Sequence, residues 1–270
     1  MIRCLFNLLL IACFWFAGLV NPVFAQTDVP QFTQQQLRKG DKIAQKAIKA
    51  VEKGDLVSAE SYWTELIADF PENPAVWSNR GNVRMSQNNI EEAIADFNHS
   101  VELAPQYPDA YLNRGIAYET EGSWDLALAD YNRVLEIDPQ DPVAYNNRGN
   151  AEAGKQQWQK ALDDYEKAVS ITPSFSVARS NAALVTYQLG DRQEAIRQFR
   201  NLVRKYPLFS DVRAAMTAVL WVDGQQGEAE SNWVAVVGLD NRYRNLDWVA
   251  NGRRWPPKMV DALSQFLSLS

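Results

Sequence analysis

Three copies of the tripeptide Asn-Arg-Gly carry the most conspicuous polar chemistry of the sequence. They occupy residues 79–81, 113–115 and 147–149, so each copy begins 34 residues after the one before it. A guanidinium group presents a planar fork of N–H donors that pairs with a carboxylate or a phosphate through two parallel hydrogen bonds. The motif therefore has two interpretations: three anion sites for a ligand, or a structural contact that recurs because the fold recurs.

The repetition extends well beyond the tripeptide. Six consecutive units of 34 residues follow one another without insertion or deletion: 40–73, 74–107, 108–141, 142–175, 176–209 and 210–243. Numbered within each unit, position 8 is small, position 15 is Gly, Asn or Gln, position 20 is alanine, position 24 is aromatic, and position 32 is proline in the first five units. This spacing predicts two closely packed helices in each unit, joined by a turn at position 15 and ended by the proline.

The stretch AYLNRGIAYETEGSWDLALADYNRVLEIDP, residues 110–139, resembles the tetratricopeptide repeat (TPR) at nearly every position of the family pattern. The resemblance is strong over 74–209, weaker over 40–73 and weakest over 210–243, where we expect the second helix to have irregular boundaries. It implies an all-α fold: a right-handed TPR solenoid of helix-turn-helix units, whose stacking buries the apolar faces that a single unit leaves open. It also implies a protein-interaction scaffold.

The arginine of each Asn-Arg-Gly lies at position 7, where the TPR family normally has an apolar residue. The three units with this arginine have aspartate at position 23, and the three units without it lack the aspartate. This covariation inside one chain predicts an ion pair between the two helices of a unit. The predicted structural pairs are Arg80–Asp96, Arg114–Asp130 and Arg148–Asp164. The alternatives are a ligand role for the arginines, or pairing with the next unit's arginine, which would leave Asp164 facing Ala182.

Asparagines precede these arginines at position 6. The TPR resemblance implies that the first helices line a concave groove and that positions 2, 5, 6, 9 and 12 point into it. Amides donate and accept, so a row of them suits the backbone of an extended peptide. The candidate partner-binding residues are Asn79, Asn113, Asn147 and Asn181 at position 6, with Asn82 and Asn150 at position 9. Asparagine is also ordinary at position 6 in the family, so a structural role remains the alternative.

The N-terminus has the pattern of a secretory signal peptide, residues 1–25. One arginine, Arg3, precedes an apolar run, and Val23 and Ala25 stand at the −3 and −1 positions of a cleavage site. We therefore expect an exported protein. The alternatives are a retained membrane anchor and a lipoprotein signal at Cys13, although the sequence stays apolar beyond that cysteine.

The two ends of the repeat array differ. Residues 26–39 form a polar segment leading into the first helix, for which Thr33 is a plausible N-cap. In the C-terminal extension, 244–270, Pro256 and Pro257 can open a helix. Its apolar stripe consists of Met259, Val260, Leu263, Phe266 and Leu267. We expect a capping helix on the open end of the solenoid, with a partner-docking helix as the alternative.

The Trp-Pro-Pro ending of the extension resembles that of exported TPR proteins of the thylakoid lumen in cyanobacteria and chloroplasts. That resemblance covers about 25 residues and implies a role in assembling or maintaining photosynthetic membrane complexes. A periplasmic envelope-assembly factor and a self-associating structural scaffold are the alternatives.

Composition excludes several other functions. The formal net charge of −6 disfavours nucleic acid, whose binding depends on phosphate neutralisation. Both cysteines, Cys4 and Cys13, lie in the signal segment, and His99 is the only histidine. A thiol–histidine dyad or a multi-histidine metal site cannot be built from these residues. We expect a protein or extended peptide as partner, with no catalysis, metal, cofactor or small-molecule ligand. Membrane contact would be indirect or through an uncleaved N-terminus.

Overall fold

The computed structural model describes residues 32–268, and over that range the chain forms helices and turns without a strand. The predicted signal peptide and both cysteines lie outside the described residues. The repeat array consists of α1 (Gln34–Glu52), α2 (Leu56–Asp69), α3 (Pro74–Ser86), α4 (Ile90–Leu103), α5 (Pro108–Glu121), α6 (Trp124–Ile137), α7 (Pro142–Gly154), α8 (Trp158–Ile171), α9 (Ser176–Leu189), α10 (Arg192–Lys205), α11 (Ser210–Val222) and α12 (Gln226–Leu239). No helix of residues 32–268 is long and apolar enough to cross a membrane.

Each 34-residue unit contains one pair of helices, an odd-numbered first helix and an even-numbered second helix. The two helices of a unit pack against each other, and each second helix packs against the first helix of the next unit. The predicted all-α stack of helix-turn-helix units is therefore confirmed. The expected irregularity of the last unit was wrong: α12 has 14 residues, like α10. Trp233 and Val236 remain buried on it and keep the helix packed.

The turn inside every unit uses a left-handed backbone conformation at position 15. The backbone φ angle is positive at Gly54, Asn88, Gly122, Gln156, Gly190 and Gly224. This conformation favours glycine because a side chain crowds the following carbonyl.

Position 8 needs a small residue for a different reason, the close approach of the two helices of the unit. A Cβ at Gly115 would lie 2.5 Å from the Tyr131 ring at position 24, so the missing side chain lets the helices of the unit approach.

The first helix begins where the sequence predicts. The Thr33 hydroxyl accepts a hydrogen bond from the Gln36 backbone N–H at 3.2 Å, and the Gln36 side chain accepts one from the Thr33 N–H at 2.8 Å. This reciprocal capping box satisfies two backbone donors that the helix itself leaves free. Thr33 is thus confirmed as the N-cap of α1.

After α12, a 3-10 turn (Asn241–Arg244) ends the last unit, and the C-terminal extension contains a π turn (Trp248–Gly252) and α13 (Pro257–Leu267). The predicted C-terminal helix is present, but its position differs from the expected one. It packs chiefly against α11 and to a smaller extent against α9, the first helices of the last two units, and it reaches α12 at the open end through the Phe266–Trp233 ring contact. The extension therefore covers the inner surface of the last units, which the first helices line.

Apolar packing holds α13 in that position. Met259, Leu263 and Phe266 are almost completely buried. The Phe266 ring makes edge contacts with Trp221 of α11 and Trp233 of α12, each with ring centroids 5.2 Å apart. These aromatic contacts add to the burial of apolar area. The last two units and the extension therefore share one continuous core.

Candidate functional site

The arginines of the three Asn-Arg-Gly motifs lie between the two helices of their own units. Arg114 donates from Nε and Nη2 to the two carboxylate oxygens of Asp130 at 2.8 and 2.6 Å. Arg80 and Asp96 form the same bidentate pair at 2.9 and 2.7 Å, and Arg148 and Asp164 at 2.8 and 2.6 Å. The structure thus brings together the residues of all three predicted pairs, within a unit rather than between units.

Each arginine makes two further contacts, which were not predicted from the sequence. The remaining Nη1 donates to position 25 of the preceding unit: from Arg114 to Asn98 at 2.8 Å and from Arg148 to Asn132 at 2.8 Å. The guanidinium of Arg114 also lies 5.4 Å from the centre of the Tyr111 ring, three residues earlier on the same helix. Each arginine therefore links its own second helix to that of the unit before.

These contacts leave the arginines little capacity for a ligand. Arg80 and Asp96 have exposed side-chain fractions of 12% and 3%. Burial raises the pKa of Asp130 in spite of the opposing effect of Arg114, whose own pKa is raised chiefly by its hydrogen bonds to Asp130. In such a pair, the desolvation of the two charges offsets much of their attraction, so the pair adds little net stability. Removing one partner is nevertheless destabilising, because it leaves the other charge buried without a counter-charge. The arginines form part of the fold.

The six candidate asparagines divide into two groups. In the N-terminal group, the side-chain amides of Asn79 and Asn82 are half-buried and have no hydrogen-bond partner among residues 32–268. Asn113 makes one long contact, from Nδ2 to the Ser78 hydroxyl at 3.4 Å. These three amides retain almost all of their donors and acceptors, because a primary amide offers two of each.

In the C-terminal group, the amides bond to one another. Asn181 donates to Asn146 at 3.0 Å and to Asn150 at 3.3 Å, and Asn146 donates to Asn147 at 3.2 Å. Asn150 also accepts from the Tyr165 hydroxyl at 3.0 Å. Asn146, Asn150 and Asn181 therefore join α7 to α9, and Asn150 and Asn181 have used half of their hydrogen-bonding capacity, whereas Asn147 accepts one bond from its neighbour.

A buried carboxylate, which sequence reasoning missed, anchors the C-terminal extension. Asp211 Oδ1 accepts from the Tyr243 hydroxyl at 2.7 Å, from Arg253 Nε at 3.0 Å and from the Trp255 indole at 3.0 Å, while Oδ2 accepts from Ser180 at 3.3 Å. The Asp211 charge raises the pKa of Arg253, and burial raises that of Tyr243. Asp211 satisfies donors of the chain segment that leads into α13.

A second anchor reaches much farther back along the chain. Arg254 donates to Glu119 Oε1 at 2.6 Å and to its backbone carbonyl at 3.1 Å, and stacks 5.4 Å from the Trp124 ring centre. Glu119 Oε2 accepts from the Tyr131 hydroxyl at 3.0 Å. Burial raises the pKa of Glu119 although Arg254 opposes the shift. The extension is thus also attached to the C-terminal end of α5, which belongs to the unit three before the last one.

The extension divides the inner face of the array into two parts. We call the part formed by α3, α5 and the start of α7 the open groove; it carries the unpaired amides of Asn79 and Asn82. The part formed by α9 and α11 is covered by α13. At position 2 the cover reaches the last unit, since Asp211 is 2% exposed whereas Val143 and Val177 are 37% and 38% exposed. The open groove is therefore the part of the inner face that α13 leaves uncovered.

The described residues contain no group of three or more His, Cys, Asp or Glu side chains arranged around a possible metal position. His99 packs its ring against Trp77 with centroids 4.1 Å apart and lies 3.6 Å from Glu102. It therefore sits beside the α3 aromatic residue.

Family profiles match the chain over the middle of the array. A profile described as TPR repeat matches residues 81–122. One profile described as Tetratricopeptide repeat matches residues 108–141 and 142–175, and a second profile with the same description matches residues 178–208. With the helix-pair fold, these matches show that the chain contains tetratricopeptide repeats and has the fold of a TPR solenoid.

Solved structures share this fold at low sequence identity. A tetratricopeptide repeat protein from Parabacteroides merdae superposes with a TM-score of 0.65 at 21% identity, covering 86% of this chain and 98% of that one. MamA from Desulfovibrio magneticus gives 0.56 at 20%, covering 62% and 94%. YrrB, described as a TPR protein with an unusual peptide-binding site, gives 0.52 at 19%, covering 66% and 92%. A comparison with curated protein sequences found no match.

Proposed function

We propose that the protein is an exported, non-catalytic interaction scaffold that binds an extended segment of a partner protein in the open groove. The observation that carries this proposal is the state of Asn79 and Asn82, whose half-buried amides have no partner among residues 32–268. No atom of these two amides is both buried and unpaired, so water can bond to them in the free protein, and an incoming peptide backbone would replace that water with its own donors and acceptors.

The composition of the open groove suits an extended peptide. The amides alternate with apolar positions, since Leu112 and Ile116 lie beside Asn113 on α5, and Val143 is exposed at the start of α7. Backbone contacts to amides supply affinity largely independent of sequence, whereas apolar contacts select side chains. YrrB is described as having a peptide-binding site on the same fold. That description supports a peptide as the class of ligand proposed here.

The groove can be tested with a triple variant, Asn79→Ala, Asn82→Ala and Asn113→Ala. The matched control is Asn88→Gly, which removes an amide from a turn with a positive φ of 67° that glycine adopts readily. In a cross-linking pull-down from the source organism, the triple variant should lose the partner set that the native protein and the control retain. An unchanged partner set in the triple variant would exclude the open groove as the binding site.

The compartment and the biological role rest on the sequence alone. The signal-peptide pattern of residues 1–25 and the Trp-Pro-Pro ending favour the thylakoid lumen, with a role in assembly or maintenance of photosynthetic membrane complexes. Fractionation against thylakoid markers tests this role, because an envelope-assembly factor would appear in the periplasm. A self-associating scaffold is the other alternative. Light scattering of residues 26–270 would then detect oligomers whose size depends on concentration.

A further inference from the structure

Five of the six units supply a cation to the side chain at position 23. The three Asn-Arg-Gly units do so through the bidentate pairs described above. In the first unit, Lys46 lies 5.8 Å from the Tyr62 ring centre. In the last unit, Arg213 at position 4 donates to Asn232 at 3.1 Å. The fifth unit, 176–209, has Ala182 at position 7 and Gln198 at position 23, and there the contact is missing.

The missing cation leaves the Gln198 side chain incompletely hydrogen-bonded. Its Oε1 is buried and is the one side-chain polar atom among residues 32–268 that is both buried and without a hydrogen-bond partner. The amide orientation is fixed, because Nε2 donates to Glu194 at 2.9 Å and a flipped amide would face that carboxylate with its oxygen. A buried acceptor left unpaired is unfavourable, so a donor brought to this place would stabilise the protein.

A half-open surface cavity of about 400 Å³ lies beside Gln198. Ala182, Val169 and Leu202 provide apolar walls that suit the methylene stem of a long side chain. Glu166 also lines the cavity. It stands at position 25 of the preceding unit, the position from which Asn98 and Asn132 accept the arginine Nη1 in the units before.

Two acceptors of the cavity have no partner among residues 32–268: Gln198 Oε1 and the exposed carboxylate of Glu166. The lining also contains three cations. Arg197 forms a bidentate contact with Glu194, with both distances 2.7 Å, Arg179 Nε donates to the Pro173 carbonyl at 2.8 Å, and Lys205 lies 5.3 Å from the Tyr206 ring centre without an ion pair among the described residues. A fork of N–H donors complements the two free acceptors, because Glu166 and Gln198 stand at the positions from which Asn and Asp accept the arginine in the preceding units.

We propose that the cavity between Ala182, Gln198 and Glu166 binds the guanidinium group of an arginine side chain presented by a partner protein. That arginine takes the place that Arg80, Arg114 and Arg148 fill from within their own units. This site is separate from the open groove and does not depend on the function proposed for it. It would let a partner dock on the fifth unit while the groove holds a peptide.

The direct test is an NMR titration of the purified protein with N-acetyl-arginine-N-methylamide, followed at the side-chain amide of Gln198. We expect a saturable shift with a dissociation constant of the order of 1–10 mM, as for a single weakly held group. The citrulline analogue has the same shape but no charge, and it should bind about tenfold more weakly. Absence of saturation, or equal binding of the two probes, would overturn the proposal.

Two variants of the fifth unit act in opposite directions. Ala182→Arg with Gln198→Asp rebuilds the pair of the preceding units, so it should abolish probe binding while leaving the melting temperature unchanged or higher. Gln198→Glu keeps the cavity and adds a charge, so it should tighten binding several-fold. Undiminished binding to the rebuilt double variant contradicts the site. If that variant does not fold, Gln198→Leu must weaken binding, since it removes the acceptor alone.

Two controls define the occupant. Arg148→Ala opens an equivalent space above Asp164 in the fourth unit, so the probe should gain a second site there and raise the melting temperature of this variant. Arg179 could instead rotate to satisfy Gln198 from inside the protein, as Arg213 does for Asn232. Binding that appears only after Arg179→Ala would show that the cavity is filled by Arg179 and would refute a partner arginine.

Discussion

The middle of the array, units 74–175, and its C-terminal end, units 176–243 with the extension, use one 34-residue frame in two ways. In the middle, small apolar clusters alternate with Arg–Asp pairs inside each unit, and the same arginines also donate to the second helix of the preceding unit. At the end, no such pair recurs, and one continuous apolar core extends from α9 to α13. The middle therefore leaves its inner face free, whereas the end covers its own.

This comparison shows that position in the repeat does not determine the role of a residue. Asp109 and Asp211 both occupy position 2 of a first helix. Asp109 is exposed, whereas Asp211 is buried and accepts from Tyr243 at the end of the last unit and from Arg253 and Trp255 of the extension. Likewise, Asn79 has no partner within residues 32–268, while Asn181 bonds twice to neighbouring amides. What packs on the first helix decides which residues remain for binding.

The largest effect that separates the two regions is expected at position 2. Asp211→Ala leaves the buried Tyr243 hydroxyl and Trp255 indole without their acceptor and removes the partner of the partly exposed Arg253, which should cost about 3 kcal/mol of unfolding free energy. Asp109→Ala, the matched control on α5, should stay within about 0.5 kcal/mol. Urea denaturation measures both, and hydrogen exchange should show loss of protection in α13 for the first variant only. Equal losses at the two sites would remove the distinction.

The next effect concerns the middle units. Asp130→Asn strands the guanidinium of Arg114 and should destabilise the protein by about 2 kcal/mol, less than for a fully buried pair. The double variant Arg114→Met with Asp130→Leu should recover much of this loss, because apolar residues avoid the desolvation of the pair. Thermal melts of the single and double variants test this. Additive losses in the double variant would mean that the two residues do not act as a pair.

A smaller effect is expected where the extension reaches the middle units. Arg254→Ala removes a partly exposed ion pair with Glu119 and should cost about 1 kcal/mol. Arg244→Ala, in the same extension but exposed and unpaired among the described residues, is the control and should have no measurable effect. Hydrogen exchange at residues 253–258 should rise for Arg254→Ala alone. A rise of the same size in both variants would show that Arg254 does not anchor the extension.

The smallest effect is a pH dependence at the same contact. Burial raises the pKa of Glu119 above its usual value of 4.5. The folded protein therefore holds this proton more tightly than the unfolded chain, so the associated stability is fully present below 4.5 and is lost as pH rises through the folded pKa. Compared with Glu119→Gln, the native protein should lose stability as the pH rises above 4.5. Denaturant titrations at several pH values measure the difference, and the opposite slope would contradict the burial of Glu119.

The contacts within one unit were predictable because they are periodic and short in sequence. The turn at Gly122, the approach of Gly115 to Tyr131, and the spacing of 16 residues between Arg114 and Asp130 recur in neighbouring units. Repetition therefore supplied several examples of the same contact inside one chain. Each arginine also donates to position 25 of the preceding unit, and this contact recurs as well. The polar residues at that position, Thr64, Asn98 and Asn132, were the sequence signal from which it could be predicted.

By itself, the sequence determined the helix-pair repeat, its turns and the ion pairs of the middle units, because local geometry repeated every 34 residues admits little else. Only the tertiary structure decided that α13 lies on α9 and α11, that Arg254 reaches Glu119 across 135 residues, and that the asparagines divide into a free and a bonded group. Such contacts occur once and join distant segments. No period in the sequence records them, and they form because the stacked first helices present an apolar inner face that the chain's own end can cover.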